Sequence, residues 1–202
     1  MSKMFFERLS ALDNSFLIFE KPNTPMHIGS TMIFEAGELA RPDGGIDGDA
    51  VRDAVGAALP FIPRYRQKII QVPGSYRWVW VDDSHFNIDY HIRHTALPRP
   101  GGDKELKRLA GRIMENHLDR SRPLWEMWVI EGYADGRVVV FSKMHHATVD
   151  GVSGANLISH LCALAGKALG DRAANSRARA GDDGDLAFKL HSLPPGLLLA
   201  GT

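Results

Sequence analysis

The segment His145-His146-Ala147-Thr148-Val149-Asp150-Gly151 places two imidazoles and a carboxylate within one short stretch. It follows the apolar run Val138-Val139-Val140-Phe141 and leads into a helical pattern from Val152, so a strand delivers the histidines to a turn. Neighbouring side chains on a strand point to opposite faces, so His145 and His146 serve different surroundings, one a cleft and the other packing or a supporting hydrogen bond. An imidazole titrates close to working pH and suits proton abstraction. Asp150, at a turn with Gly151, would hold the loop or pair with an arginine. No Gly-x-Ser-x-Gly nucleophile motif accompanies the pair. Cys162 lies in an apolar helical stretch and reads as a small buried hydrophobe. His85, His91 and His94 fall close together, but an alternating strand would turn 91 and 94 apart. No Cys or carboxylate spacing completes a metal site there, so none is expected.

The elements that must position these residues alternate between helix and strand. Residues 26–34 read as a strand. Val51, Ala54, Val55, Ala58 and Leu59 recur at helical spacing, with Asp47 or Asp49 as N-cap and Pro60 as a stop. Residues 64–72 and 76–81 read as strands around the turn Pro73-Gly74-Ser75. Phe86, Ile88, Tyr90 and Ile92 alternate with polar residues as on a further strand. A helix is expected over 103–118, with Leu106, Leu109, Ala110, Ile113, Met114, His117 and Leu118 on one face. Residues 125–133 and 137–144 form a hairpin across Ala134-Asp135-Gly136, and 152–165 read as the last helix. Residues 167–185, rich in Gly, Ala, Arg and Asp, read as a flexible linker. From Leu186 the chain turns apolar again.

Composition narrows the classes. The 202 residues carry 24 Lys+Arg and 24 Asp+Glu, which gives no case for nucleic-acid binding. Hydrophobic content of 44% suits a globular core. A single cysteine excludes an internal disulfide and points to a reducing, cytoplasmic setting. Glu7, Arg8 and Asp13 interrupt the N-terminal apolar residues, against a signal peptide. No apolar run reaches the roughly 20 residues that span a bilayer, so membrane or lipid-droplet contact would be peripheral.

The pattern His-His-x-x-x-Asp-Gly resembles the active-site motif of the CoA-dependent acyltransferase superfamily, which includes chloramphenicol acetyltransferase and peptide-synthetase condensation domains. Pro123-Leu124-Trp125-Glu126, Leu9-Ser10-Ala11-Leu12-Asp13 and Thr24-Pro25-Met26-His27-Ile28-Gly29 narrow the resemblance to the bacterial, actinobacterial-type wax ester synthase/diacylglycerol acyltransferase family, over residues 9–165. The resemblance implies an α/β fold, a layered mixed sheet with helices like the chloramphenicol acetyltransferase lobe. It implies transfer of a long-chain acyl group from acyl-CoA, as co-substrate and with no bound cofactor, to diacylglycerol or a long-chain alcohol. His146 would be the general base and His145 a support. Asp150 would be structural, paired with Arg66, Arg64 or Arg122, and Gly151 would leave room at the turn. Pro123, Leu124 and Trp125 would line the acyl pocket or belong to the core. Residues 1–166 would form the N-terminal lobe, 167–185 the linker and 186–202 the start of a crossover to a second lobe. That lobe, a second copy of the chain or a membrane surface would cover the exposed face. A small trimeric acetyltransferase of the chloramphenicol type and a non-catalytic lipid- or CoA-binding lobe stand as alternatives.

Overall fold

The computed structural model describes residues 6–36, 39–42 and 45–148. The expected helix at 152–165, the linker, the apolar tail, Asp150, Gly151 and Cys162 lie outside the described residues. Two sheets organise the rest. The larger is β2 (His27–Phe34), β7 (Arg137–His145), β6 (Trp125–Tyr133) and β5 (Ile92–Ala96), in that spatial order. Its pairs are antiparallel except β5 on β6, which is parallel. The smaller joins β1 (Phe6–Arg8), β4 (Trp78–Asp82) and β3 (Gln67–Gln71), all antiparallel. The layered α/β lobe expected from the sequence is present.

Strand alternation divides the interior. Trp125, Met127, Val129, Val138 and Met144 face the layer of α2 (Gly48–Ala58), packing with Val51, Val55 and Ala58. Ile130, Val139 and Phe141 face α4 (Asp103–Glu115), packing with Leu106, Ala110, Ile113 and Met114. A third cluster joins Leu17 of α1 (Ala11–Phe19), Ile69, Trp80, Leu118, Leu124 and Ala147, beneath the end of β7. Capping fixes the helix starts. Ser10 Oγ accepts from Asp13 N–H at 3.0 Å, Asp47 Oδ1 from Asp49 and Ala50 N–H, both at 3.1 Å, and Glu105 Oε2 from Gly102 N–H at 2.9 Å. Gly29 lets α4 approach β2, because a Cβ there would lie 2.9 Å from Met114 Sδ and 3.1 Å from Phe141 Cζ.

Three of the elements expected from the sequence take a different form, and β1 and α1 were not anticipated. Residues 86–92 are not one strand. Asn87 accepts from Asp89 N–H at 2.9 Å and caps a short helix, α3 (Ile88–His91), before β5 begins. Arg64 and Arg66 lie on no strand, because Pro63 starts a 3₁₀ turn (Pro63–Arg66) that delays β3 to Gln67. Helix α4 stops at Glu115. Asn116 turns extended and its side chain donates to Arg112 O at 2.8 Å, which takes His117 off the helix.

His91 ends α3 inside the core, between Phe86 and Trp125 with ring centroids at 5.2 and 4.5 Å. Its Nδ1–H donates to Trp125 O at 2.8 Å. Burial is the main cause that lowers its pKa from 6.5 to about 4. The unfolded ring therefore takes up a proton at a higher pH than the folded one. Stability from this site is complete above about 6.5 and is lost as pH falls toward about 4, by on the order of 3 kcal/mol. Urea midpoints should fall across that window, and His91→Phe should flatten the fall even if it lowers the midpoint at neutral pH. An unchanged slope in the variant would remove His91 as a source.

Candidate active site

Main-chain bonds on both sides fix the end of β7. His145 N–H donates to Leu124 O at 3.0 Å, and His146 N–H donates to Met26 O at 2.8 Å. His145 is the last residue of β7, while His146 opens a 3₁₀ turn (His146–Thr148). The two rings consequently meet different surroundings. His145 is 1% exposed and on the α4 side of the sheet, directly opposite His27 of β2. Its Nδ1 accepts from Ala147 N–H at 3.0 Å, so its proton is on Nε2, 3.5 Å from Glu20 Oε1. His146 is half-buried and stacks on Phe16 of α1, centroids 4.4 Å apart at 22°. Burial lowers the His146 pKa, the neighbouring His145 adds to that, and Asp13 opposes it. The ring is therefore neutral at pH 7 and can accept a proton.

Sequence reasoning missed the groups behind this turn. Glu20 is the C-cap of α1, its side chain 4% exposed. Its Oε1 accepts from Met26 N–H at 3.1 Å and its Oε2 from Arg120 Nη2 at 2.8 Å. Arg120 Nη2 also donates to Leu17 O at 2.9 Å. Burial would raise the Glu20 pKa. The bonds from His145, Arg120 and Met26 outweigh it and hold the carboxyl ionised, well below the usual carboxylate range. Glu20 thus grips Met26, whose carbonyl holds His146, and faces the ring of His145. Lys143, fully buried, donates from Nζ to Ile113 O at 2.8 Å and to Asn116 O at the C-terminal end of α4. Burial pushes its pKa down. One signal was available: Lys143 follows Val139 and Phe141 at inward spacing, so alternation alone puts an ammonium inside.

The remaining sequence candidates separate. Pro123, Leu124 and Trp125 are all buried. Trp125 packs on Tyr65 at 4.6 Å and donates from Nε1 to Tyr65 O at 2.8 Å, and Leu124 lies under Ala147. All three are packed in the interior of the described residues, and the Leu124 carbonyl holds His145. Arg64 binds Glu7 at 2.8 Å and sits 4.5 Å over the Trp80 ring. Arg66 is exposed. Arg122 reaches Asp119 at 3.4 Å and lies 4.2 Å over the Tyr90 ring. His85, His91 and His94 do not converge: His85 meets Ser84, His91 is in the core and His94 meets Glu131 at 2.5 Å.

Comparison with known proteins gives a consistent answer. A family model described as the wax ester synthase/diacylglycerol acyltransferase catalytic domain matches residues 9–185. A protein of Mycobacterium tuberculosis named as a probable diacylglycerol O-acyltransferase is 45% identical over 157 residues, which is 77% of this chain and 56% of that protein. The solved wax ester synthase/diacylglycerol acyltransferase from Marinobacter aquaeolei VT8 superposes with a TM-score of 0.65 at 32% identity, over 76% of this chain and 36% of its own. A starter condensation domain of rhizomide synthetase, solved in complex with C8-CoA, superposes at 0.62 with 14% identity, over 83% of this chain and 36% of that one. At that identity the likeness is one of fold. The chain therefore spans little more than half of the mycobacterial relative and about a third of the Marinobacter enzyme. None of these relatives favours the small trimeric alternative.

Removing the stacked ring tests the cause of the low His146 pKa. In Phe16→Ala, relief of burial should raise the His146 pKa toward 6.5, read from the Cε1–H shift in an NMR titration. An unmoved titration would mean that burial against Phe16 does not set it.

Proposed function

Because the chain belongs to the wax ester synthase/diacylglycerol acyltransferase catalytic-domain family, we propose that it is the histidine-bearing lobe of an acyl-CoA-dependent O-acyltransferase. The acceptor is the hydroxyl of diacylglycerol or a long-chain alcohol. One observation carries the reading: a neutral, half-buried His146 at a turn whose main chain is held from both sides. His146 takes the hydroxyl proton as the oxygen attacks the thioester carbonyl carbon. The C–O bond forms, the tetrahedral oxyanion collapses and the C–S bond breaks. The imidazolium then returns its proton to the departing thiolate, giving ester and free CoA. No covalent acyl-enzyme is needed.

The other residues act through placement. His145, with its ring held between Ala147 N–H and Glu20, supports the turn and performs no proton transfer. Asp150 acts structurally, paired with an arginine; of the three candidates Arg66 is the one for which no ion pair is described. Gly151 leaves space at the turn. Pro123, Leu124 and Trp125 contribute through the Leu124 carbonyl. The part of the family's length beyond this chain supplies a second lobe, closing over the His146 side. That enclosure concentrates the reactants and excludes water. A second copy of the chain or a lipid surface is the other means of covering that face. No helix of the described residues is long and apolar enough to cross a membrane. The proposed setting is the cytoplasm, where apolar substrates would be met by peripheral contact with a membrane or lipid droplet.

Acyl transfer from labelled acyl-CoA to diacylglycerol or hexadecanol is the test, run on this chain with and without the second lobe added in trans. Activity should need both lobes, and His146→Ala should lower it at least about a hundredfold. Near-normal turnover in His146→Ala would overturn the assignment, and full activity of this chain alone would overturn the two-lobe reading.

A further inference from the structure

The groups around Glu20 do more than the acyl-transfer reading asks of them. His27 Nε2 and His117 Nδ1 each lie 3.4 Å from Glu20 Oε1, and the three atoms all fall within 4.8 Å of one another. We infer that Glu20, His27 and His117 form a binding site for a single divalent transition-metal ion, of which zinc is the best fit, behind the His145–His146 turn.

Proton bookkeeping at the two rings carries the argument. His27 Nδ1 faces Met114 O at 3.3 Å, and His117 Nε2 faces Pro22 O at 3.0 Å. A carbonyl oxygen only accepts, so both of these nitrogens carry the protons. In neutral rings the opposite nitrogens, His27 Nε2 and His117 Nδ1, are bare, and both are aimed at a carboxylate oxygen. Lone pairs facing one another repel unless a cation stands between them. The His27 side chain is fully buried, and its Nε2 has no hydrogen-bond partner among the described residues. A buried acceptor with nothing to accept is costly.

Geometry and chemistry both suit zinc. Tetrahedral bonds of about 2.0–2.1 Å set neighbouring ligand atoms about 3.3 Å apart, against the 3.4 Å of both nitrogens to Oε1. Two imidazoles and one carboxylate are a known zinc donor set that leaves a fourth position for water. Each ring donates its other N–H to a main-chain carbonyl, the usual outer support of a metal-bound histidine. His145 is not a fourth ligand, since its Nε2 carries the proton. Lys143 and Arg120 are cationic neighbours that oppose an ion. Lys143 is satisfied by the carbonyls of Ile113 and Asn116, and Arg120 by Leu17 O and the other carboxylate oxygen of Glu20. That opposition disfavours calcium and magnesium, which bind oxygen by charge, more than zinc, which bonds imidazole.

The ion would join the end of α1, the start of β2 and the segment after α4, three places distant in sequence. The site stands whether or not His146 is a base, and its test reads metal alone. The chain, stripped with chelator, is titrated with Zn²⁺ by calorimetry and with Co²⁺ by absorption. One ion per chain should bind, with the intense visible bands of tetrahedral cobalt and a raised melting temperature. His117 is partly exposed, so His117→Ala should keep the fold, checked by circular dichroism, and Glu20→Gln serves as the second variant. Both should weaken binding at least about tenfold, the lower end of what a supporting residue costs. His94→Ala, at an exposed histidine, should leave binding unchanged. Absence of stoichiometric uptake by the folded chain, or uptake that folded His117→Ala retains undiminished, would overturn the site.

Discussion

A buried carboxylate cannot be left without donors, and Glu20 meets that demand from separate parts of the chain. Met26 N–H and the Arg120 guanidinium donate to it, and the protonated edge of His145 faces it. Those groups precede β2, follow α4 and end β7. Satisfying one charge therefore fixes where α1 sits against the sheet, and α1 carries Phe16, the ring on which His146 stacks. The third core cluster fills the space beneath, bringing Leu17, Leu124 and Ala147 together under the same turn. The arrangement places a histidine at the boundary between a dry interior and an open face.

The sheet makes that boundary reproducible. β7 is one of the two interior strands on which both helical layers rest, with Val138 and Met144 turned to α2 and Val139 and Phe141 to α4. Its last residues inherit this register, so Lys143 and His145 continue the α4 face into the polar network. His146, past the strand, is released from the alternation. The proposed division of labour between the two histidines follows from that one-residue step.

Much of this was legible in the sequence where periodicity was long and unambiguous. The β6–β7 hairpin, β2 and the helix capped by Asp47 appear where pattern and capping chemistry place them. Short segments were less legible. Four residues of α3 alternate as a strand would, and only the Asn87 cap distinguishes them. Pro63 was the signal for the 3₁₀ turn that takes Arg64 and Arg66 off β3. The histidine pair was visible because its members are adjacent. The polar network behind it was not, because Glu20 and Arg120 are 100 positions apart and only folding brings them together. Trp125, for which the sequence left an acyl pocket and the core both open, packs between Tyr65 and His91, from elements that periodicity could not orient.

The central claim is that His146 moves the proton, from a ring whose affinity for it is set by burial against Phe16. The pH dependence of kcat/KM for acyl transfer, measured in wild type and Phe16→Ala with the second lobe present, tests it most directly. Wild type should lose activity on the acid side with an apparent pKa below 6.5 that matches the His146 titration, and the Phe16→Ala profile should move to higher pH together with that ring. An acid limb that stays in place while the His146 titration shifts would contradict the account.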